Sequence, residues 1–217
     1  MGEARLLRVE FRGRMAYRVA LQEMLAYTEG RDASTPDALW LVEHPPVYTL
    51  GLAADPSHLL DTGEIEVVQT DRGGQVTYHG PGQVLAYLLM DLRRSGHHVR
   101  ETVALLEESG IQMLQSLGCS GSCRKPAAPG VYVQEPGQAG LSKIAAVGLR
   151  IRRGCSLHGM SLNVQMDLRP FAGIHPCGMP GLRTIDLATI GIRLTWQDAA
   201  EQLAAQIQAA FKRPSTP

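Results

Sequence analysis

The 217-residue chain lacks a net charge, because 21 basic side chains balance 21 acidic ones. Proteins that bind nucleic acid usually present a bulk positive field or a large basic patch. This composition offers no such field, so we expect no nucleic-acid partner. Any charged partner must be met by a local patch of the surface.

Long hydrophobic runs are missing as well. A membrane-spanning helix needs about 20 consecutive apolar residues, and the first ten residues, MGEARLLRVE, lack the apolar core of a signal peptide. With 44% hydrophobic and 19% charged residues, the composition is typical of a packed globule. We therefore expect a cytoplasmic protein without membrane contact, folded as one domain over residues 1–217 with a disordered tail at 213–217.

Cysteine is sparse, with four residues in the whole chain. Cys119 and Cys123 lie close together in CSGSC, but a zinc site needs closer pairing and a second pair of ligands, for which His97 and His98 are poor substitutes. We predict no metal site. In a reducing compartment each cysteine is then either a small buried residue or a reactive thiol.

The familiar phosphate-binding motifs are absent too. The stretch RGGQVTYHGPGQ at 72–83 is rich in glycine, yet it lacks both the Gly-Lys-Ser/Thr ending of a P-loop and the spacing of a dinucleotide fingerprint. It is followed by VLAYLLMDL, which has strand character, so no helix N-terminus is available to hold a phosphate. A tight turn between strands explains the glycines but leaves Arg72, Thr77, Tyr78 and His79 without a purpose.

Hydrophobic periodicity predicts more strands than helices. Gly118 is a natural left-handed cap for the second helix, and Thr195 is placed to cap the third with Asp198 three residues later. The pattern favours an α+β or mixed-sheet fold. The predicted strands are 6–11, 38–42, 47–50, 65–69, 84–92, 130–133, 143–152 and 156–165, and the predicted helices are 15–28, 100–117 and 196–212.

Two further stretches contain reactive side chains. In FAGIHPCGMPG, at 171–181, Cys177 lies on a constrained turn, where it is either a nucleophile or a small buried residue. In SKIAAVGLRIRR, at 142–153, strict alternation places Lys143 on the face opposite Ala146 and Gly148. If its face is buried, this lysine needs a partner such as a thiolate; otherwise it is a solvated residue at the strand start. His158 in the next strand is either a core residue or a catalytic one.

Five motifs in order along the chain resemble those of the lipoyl(octanoyl) transferases, and together they cover nearly its whole length. The resemblance implies an α/β fold with a central mixed β-sheet flanked by helices, in a single domain like that of lipoate and biotin protein ligases. The motifs are EHPPVYTLG (43–51), RGGQVTYHGPGQ (72–83), APGVYV (128–133), SKIAAVGLRIRRGCSLHGMSLNV (142–164) and HPCGMPG (175–181).

The resemblance also implies an activity. Such an enzyme moves an octanoyl or lipoyl group from acyl carrier protein to a lysine of lipoyl domains in 2-oxoacid dehydrogenase complexes and in the glycine cleavage H protein. Because the incoming thioester is already activated, neither a cofactor nor ATP is expected. We expect the chain to act as a monomer.

Family roles transfer to matching positions of this sequence. Cys177 matches the acyl-accepting cysteine, and Lys143 matches the lysine that activates it. The chain departs from the family in GQAGLS, which is longer and lacks a charged residue before Lys143, and in His175, where asparagine is frequent. The resemblance assigns substrate binding to Arg72, Gly73, Gly74, Gln75, Val76, Thr77, Tyr78, His79, Ala146, Val147, Gly148, Gly159, Met160 and Ser161.

This chemistry leads to three more expectations. The tetrahedral intermediates need donors, and we predict the Gly178 amide and an amide of the Arg72 loop. The octanoyl tail needs a dry tunnel, with Tyr78 and His79 as walls beside glycines. Exposed arginines at 150, 152 and 153 are predicted to steer an acidic carrier protein.

Three other functions remain open from the sequence. One is an ATP-dependent lipoate ligase on the same fold, and the second is a thiol hydrolase that uses Cys177 with His79 or His158 as its base. The third is a lipoyl-domain binder without catalytic activity, in which Cys177 has no chemical role.

Overall fold

The computed structural model describes residues 7–135 and 137–212. The predicted disordered tail at 213–217 and the first residue of the strand predicted at 6–11 lie outside these ranges. None of the helices in the described ranges is long and apolar enough to cross a bilayer. The strands are β1 (Arg8–Arg14), β2 (Ala38–Glu43), β3 (Val47–Leu50), β4 (Val67–Gln69), β5 (Val76–His79), β6 (Gln83–Leu89), β7 (Gly130–Gln134), β8 (Leu141–Arg152) and β9 (Cys155–Asn163), and the helices are α1 (Tyr17–Glu29), α2 (Leu92–Ser95), α3 (Val99–Ser116) and α4 (Trp196–Phe211).

Six strands form the central sheet in the order β1-β2-β6-β9-β8-β7. The pair β1 and β2 is parallel, since α1 connects them as a crossover, while the other neighbours are antiparallel. The predicted α/β fold with a central mixed sheet flanked by helices is thereby confirmed.

Helices α3 and α4 bury their apolar stripes against one face of this sheet, where they form the largest hydrophobic cluster. Both predicted caps of these helices are present. Gly118 adopts a φ of 89° just beyond α3, and the Thr195 hydroxyl accepts a hydrogen bond from the Asp198 amide at the start of α4. Helix α1 packs on the opposite face, with Ala20 and Met24 buried against it.

A small second sheet, in the order β4-β3-β5, lies on the α1 side. Its strand β5 covers residues that the sequence analysis assigned to a turn. The loop from Arg72 to Gln75 links this small sheet to the central one, because the Gly73 amide donates to the Leu149 carbonyl of β8 at 2.9 Å. The two sheets thus enclose a space between them.

Strand β8 contains an irregularity near its start. Val131 of β7 faces Ala145, but the next residue, Tyr132, faces Lys143, so Ile144 has no opposite residue in β7. A residue inserted in this way is a β-bulge, and it shifts the alternation of side chains by one position.

The bulge corrects the predicted face of Lys143. Ile144 and Ala145 are both buried in the cluster under α3 and α4, whereas Lys143 lines the same cavity as Ala146 and Gly148. Strict alternation had placed the lysine opposite those two residues. Without the bulge, its ammonium group would point away from the cavity.

Candidate active site

A cavity of about 400 Å³ lies between the two sheets. Apart from Tyr78, every residue predicted to bind substrate or to act in catalysis lines it, together with side chains that the sequence analysis did not assign. The predicted residues brought together are Arg72, Gly73, Gly74, Gln75, Val76, Thr77, His79, Lys143, Ala146, Val147, Gly148, Gly159, Met160, Ser161 and Cys177.

Lys143 and Cys177 are in direct contact although 34 residues separate them in the chain. The Nζ atom donates to Cys177 Sγ at 3.0 Å and to the Pro129 carbonyl at 2.9 Å. It also lies 5.1 Å from the centre of the Tyr132 ring, which is within range of a cation–π interaction. Lys143 is only 3% exposed, so these three contacts fix the position of its ammonium group beside the sulfur.

Two opposing effects act on the Lys143 ammonium. Burial lowers its pKa, but the charge of the Cys177 thiolate, the hydrogen bond to it and the nearby Tyr132 together outweigh burial, so the pKa is raised from its ordinary value of 10.5. Lys143 is therefore protonated at neutral pH, and its ammonium lies at hydrogen-bond distance from Cys177 Sγ. A cation in this position favours the thiolate, which is the reactive form of a cysteine.

Cys177 sits in a strained backbone conformation. Its φ of 58° belongs to the left-handed region, which residues with a side chain seldom adopt. The short 3₁₀ turn Pro176–Gly178 holds it there, and Gly178 follows with a φ of 69° at a place where a Cβ atom would come within 3.0 Å of Gln75. Such strain is frequent at functional sites, where it presents a side chain in a defined direction.

One predicted oxyanion donor is already used within the turn. The Gly178 amide donates to the His175 carbonyl at 2.9 Å, so it does not point into the cavity as a free donor. In the Arg72 loop, the Gly73 amide is likewise bound to Leu149. Within the described residues, the amides of Cys177 and Gln75 have no acceptor, and they remain candidates for this role.

Arg72 is a buried cation without a carboxylate partner among the described residues. Its Nε and Nη2 atoms donate to Thr49 Oγ1 at 3.1 and 2.8 Å, and Nη2 also donates to the Gln75 carbonyl at 2.8 Å. Because these acceptors are neutral, the positive charge is not cancelled locally. Placed on the cavity wall, it favours negative charge in the cavity, such as a thiolate or an oxyanion.

Tyr78 is not brought to the cavity. Along β5, side chains alternate, so Thr77 and His79 face the cavity while the Tyr78 ring packs against Tyr48 and Phe171 at centroid distances of 5.4 Å. Its predicted role as a wall of the acyl tunnel is therefore corrected. It belongs to a small hydrophobic cluster that also contains Ile174, three residues before Cys177.

The Arg72 loop and strand β8 approach each other closely at two glycines, Gly73 and Gly148. A Cβ atom on Gly148 would lie 3.0 Å from the carbonyl oxygen of Gly73, so the absence of a side chain lets the loop lie directly on β8. The close approach is between two backbones, and it closes part of the cavity wall.

His79 is a neutral wall residue with a defined tautomer. Its Nδ1 lies 2.7 Å from Gln83 Oε1, Gln83 Nε2 donates to Asn163 Oδ1 at 2.8 Å, and Asn163 Nδ2 donates to the Ile185 carbonyl at 2.8 Å. Because a carbonyl only accepts, this series orients both amides so that His79 Nδ1 is the donor. His158 is engaged instead with Asp71 at 3.0 Å. Within the described residues, neither histidine hydrogen-bonds to Sγ.

These buried histidines lead to a prediction about stability. Burial lowers the pKa of His44 to about 4 and that of His79 to about 3, whereas both titrate near 6.5 in the unfolded chain. Below pH 6.5 the unfolded state therefore binds more protons, so this part of the stability is present above pH 6.5 and is lost as the pH falls toward the folded-state values. We expect the free energy of unfolding to fall between pH 6 and 5 by up to about 1.4 kcal/mol per pH unit for each histidine.

Urea denaturation at several pH values between 7 and 5 measures this slope. In His44→Gln, the slope of the free energy of unfolding against pH should be smaller by about the contribution of one histidine, whatever the absolute stability of the variant. His98 is exposed, and His98→Gln should leave the slope unchanged. A free energy of unfolding that stays constant between pH 7 and 5 would contradict the prediction.

Sequence reasoning missed several residues of the site. Pro129 and Tyr132 hold the Lys143 ammonium, and Tyr17 and Tyr87 line the cavity from the α1 side. For the first two, a signal was present in the motif APGVYV, to which no role was assigned. Tyr17 and Tyr87 carry no signal in the sequence, since both resemble ordinary core residues.

The arginines predicted to steer a carrier protein are partly neutralised. Arg150 lies 3.8 Å from Asp71, Arg152 pairs with Glu29, and Arg153 donates to the Glu29 carbonyl. Their role in steering stays a prediction. Within residues 7–135 and 137–212, no group of three or more histidine, cysteine or acidic side chains is arranged to hold a metal ion.

The fold is shared with solved structures at low sequence identity. A bi-partite lipoate protein ligase from Thermoplasma acidophilum matches 94% of this chain and 83% of its own, with a TM-score of 0.67 and 14% identity. Lipoate-protein ligase A bound with ATP matches 95% and 84% at a TM-score of 0.60 and 15% identity. The biotin protein ligase from Aquifex aeolicus in complex with biotin and ATP matches 94% and 70% at a TM-score of 0.54 and 12% identity.

Sequence relatives are much more similar. The octanoyltransferase of Bordetella petrii is 55% identical over 199 residues, which are 92% of this chain and 93% of that protein. The octanoyltransferase of Paraburkholderia xenovorans is 54% identical over 209 residues, covering 94% and 86%. Residues 14–208 match the family described as the lipoyl protein ligase A/B catalytic domain. The chain therefore belongs to this catalytic-domain family and, within it, to the lipoyl(octanoyl) transferases, which makes it an acyltransferase of protein lipoylation.

Proposed function

We propose that the protein transfers an octanoyl or lipoyl group from acyl carrier protein, through a thioester on Cys177, to a specific lysine of lipoyl-domain proteins. The acceptors are the lipoyl domains of 2-oxoacid dehydrogenase complexes and the glycine cleavage H protein, and the transfer takes place in the cytoplasm. The observation that carries the proposal is the 3.0 Å contact between Lys143 Nζ and Cys177 Sγ on the wall of the cavity.

In the first half-reaction, the Cys177 thiolate attacks the carbonyl carbon of the carrier's thioester. The tetrahedral intermediate collapses by breaking the bond to the carrier sulfur, and the Lys143 ammonium protonates that departing thiolate. The products are the carrier's free thiol, the acylated Cys177 and a neutral Lys143 amine.

In the second half-reaction, the free amine of the acceptor lysine attacks the Cys177 thioester. Neutral Lys143 takes a proton from the attacking nitrogen, and the new amide forms as the bond to Sγ breaks. Cys177 leaves as a thiolate beside a protonated Lys143, which restores the starting ion pair. The Pro129 carbonyl and the Tyr132 ring hold the Lys143 nitrogen in place through both steps.

Each half-reaction passes through an oxyanion. Backbone donors aimed at such an oxygen commonly contribute about 3 to 4 kcal/mol to the lowering of the barrier. The backbone amide of Cys177 adjoins the reacting sulfur, and Gln75 lies next to the same turn, since its side chain is close to Gly178. We assign the oxyanion to the backbone amides of Cys177 and Gln75, and the uncompensated charge of Arg72 on the cavity wall adds to their effect.

The cavity is suited to a saturated chain. Its wall includes apolar or small residues such as Leu85, Val103, Ala146 and Met160, and each CH₂ group removed from water contributes about 0.8 kcal/mol. Of the two histidines considered as the base of a hydrolase, His79 is bound to Gln83 and His158 to Asp71, and neither hydrogen-bonds to Cys177 Sγ, which supports acyl transfer over hydrolysis.

Intact-mass spectrometry tests the proposal. The protein is mixed with octanoyl carrier protein in the absence of ATP and is then given a lipoyl domain. We expect an octanoyl adduct on the enzyme that disappears as the lipoyl domain gains the same mass. A requirement for free octanoate and ATP would identify a ligase, and release of free octanoate without an acceptor, at the rate of transfer, would identify a hydrolase.

A further inference from the structure

The outer edge of β8 has a gap beside the cavity. Strand β7 pairs with β8 only as far as Gly130, which faces Ala146. Three residues further along β8, the Leu149 carbonyl accepts the amide of Gly73. Between these two contacts lies Val147, which is one of the residues that line the cavity.

The backbone of Val147 points into this gap. The Leu149 carbonyl points away from β9, since it is bound by Gly73 on the other side, and groups two residues apart along a strand point in the same direction. The amide and carbonyl of Val147 therefore also point away from β9. Within the described residues, neither group has a hydrogen-bond partner.

The reason for the gap is Pro129. Continued pairing of β7 with β8 would bring this residue opposite Val147, but proline has no amide proton to donate. Its carbonyl is already occupied by Lys143 Nζ at 2.9 Å. Pro129 therefore binds the Lys143 ammonium and does not pair with β8, so the amide and the carbonyl of Val147 are left without a partner in β7.

The gap lies between the molecular surface and the catalytic pair. Gly74 and Ala127, on its two sides, line the cavity and are exposed, and Val99 nearby is 45% exposed. A strand rises about 3.3 Å per residue, so Val147 lies roughly 10 to 13 Å along β8 from Lys143. A flexible arm that passes in from this side to reach Cys177 runs along the open edge.

We infer that Val147 is a binding site for the two amides of the donor's prosthetic arm. This inference rests on the proposed function, in which the acyl group arrives on a carrier protein. A carrier's pantetheine arm contains two secondary amides separated by two methylene groups, so the N–H of one can donate to the Val147 carbonyl while the C=O of the other accepts from the Val147 amide, as a strand would. The side chain of the acceptor lysine has no amide before its reacting nitrogen, so it gains nothing at this site.

Two soluble donors test this inference. One is octanoyl-pantetheine, and the other is the octanoyl thioester of a polyether thiol of the same length, which has no amide. The readout is the single-turnover rate of octanoyl-enzyme formation by intact mass. Two hydrogen bonds at typical net strength favour the amide-containing donor in the wild-type protein by about tenfold.

Val147→Pro removes the amide proton and should reduce this preference at least about threefold. Ile151→Pro is the matched control: it lies on the same edge of β8 outside the cavity, and it should keep the wild-type preference. Equal rates with the two donors in the wild type, an undiminished preference in Val147→Pro, or an equal loss in Ile151→Pro would each overturn the inference.

A second measurement does not depend on the folding of a variant. Hydrogen exchange of the wild-type Val147 amide, followed by NMR, should slow with the octyl thioether of pantetheine and not with that of the polyether. Equal exchange with both would overturn the inference. Absence of any octanoyl adduct from either donor, or from the carrier protein, would instead overturn the proposed function and this inference with it.

Discussion

Replacing Cys177 with serine should abolish the octanoyl adduct and slow transfer to a lipoyl domain by roughly 10³-fold or more. In the proposed mechanism the attacking atom is Cys177 Sγ, which lies 3.0 Å from Lys143 Nζ. A serine hydroxyl at the same place stays protonated, because a hydroxyl is a much weaker acid than a thiol and Lys143 already carries its proton. Intact mass after mixing with octanoyl carrier protein, together with the rate of transfer, measures both effects.

Cys119→Ser is the matched control for this variant. Cys119 is a free, half-buried thiol beyond the end of α3 and is absent from the cavity wall, so its replacement should leave the adduct and the rate unchanged. A Cys177→Ser protein that transfers octanoate at the wild-type rate would show that the thiol has no chemical role. An adduct that persists in Cys177→Ser would place the acyl group on another residue.

Replacing Lys143 with glutamine should lower the rate of transfer by about 10² to 10⁴-fold. The amide side chain can still hydrogen-bond to Pro129, but it carries no charge and cannot move a proton. Both half-reactions depend on that proton, so acylation of the enzyme and transfer to the acceptor should each slow. Rapid-quench measurement of the octanoyl-enzyme separates the two steps.

Alkylation with iodoacetamide distinguishes this chemical role from a structural one. Lys143→Gln removes the positive charge 3.0 Å from the sulfur. Because alkylation proceeds through the thiolate, which a neighbouring cation favours, its rate at pH 7 should fall in this variant even though the site remains accessible. The matched control is Lys125→Gln, since the Lys125 ammonium lies 6.0 Å from the same Tyr132 ring but on the exposed outer side. Alkylation of Lys143→Gln at the wild-type rate would argue that Lys143 only fills space.

Local patterns in the sequence determined most of the secondary structure. Helix α4 was expected at 196–212 and runs from Trp196 to Phe211, and strand β3 has the predicted bounds. These elements follow from periodicity and capping, which are properties of neighbouring residues. Strand β5 was missed because its pairing partner is β3, about 30 residues earlier in the chain, and the glycines around it are typical of a turn.

The sequence also determined the family, through motifs long enough to identify it, and from them it predicts the reactive residues. Cys177 and Lys143 stand in two such motifs, and the structure brings them together. What only the tertiary structure decided is how they meet. The bulge at Ile144 turns Lys143 toward the cavity, and Pro129 and Tyr132 hold its ammonium on the sulfur. A bulge depends on the register between two strands, and burial depends on every element that covers a group, so neither property is contained in a local pattern.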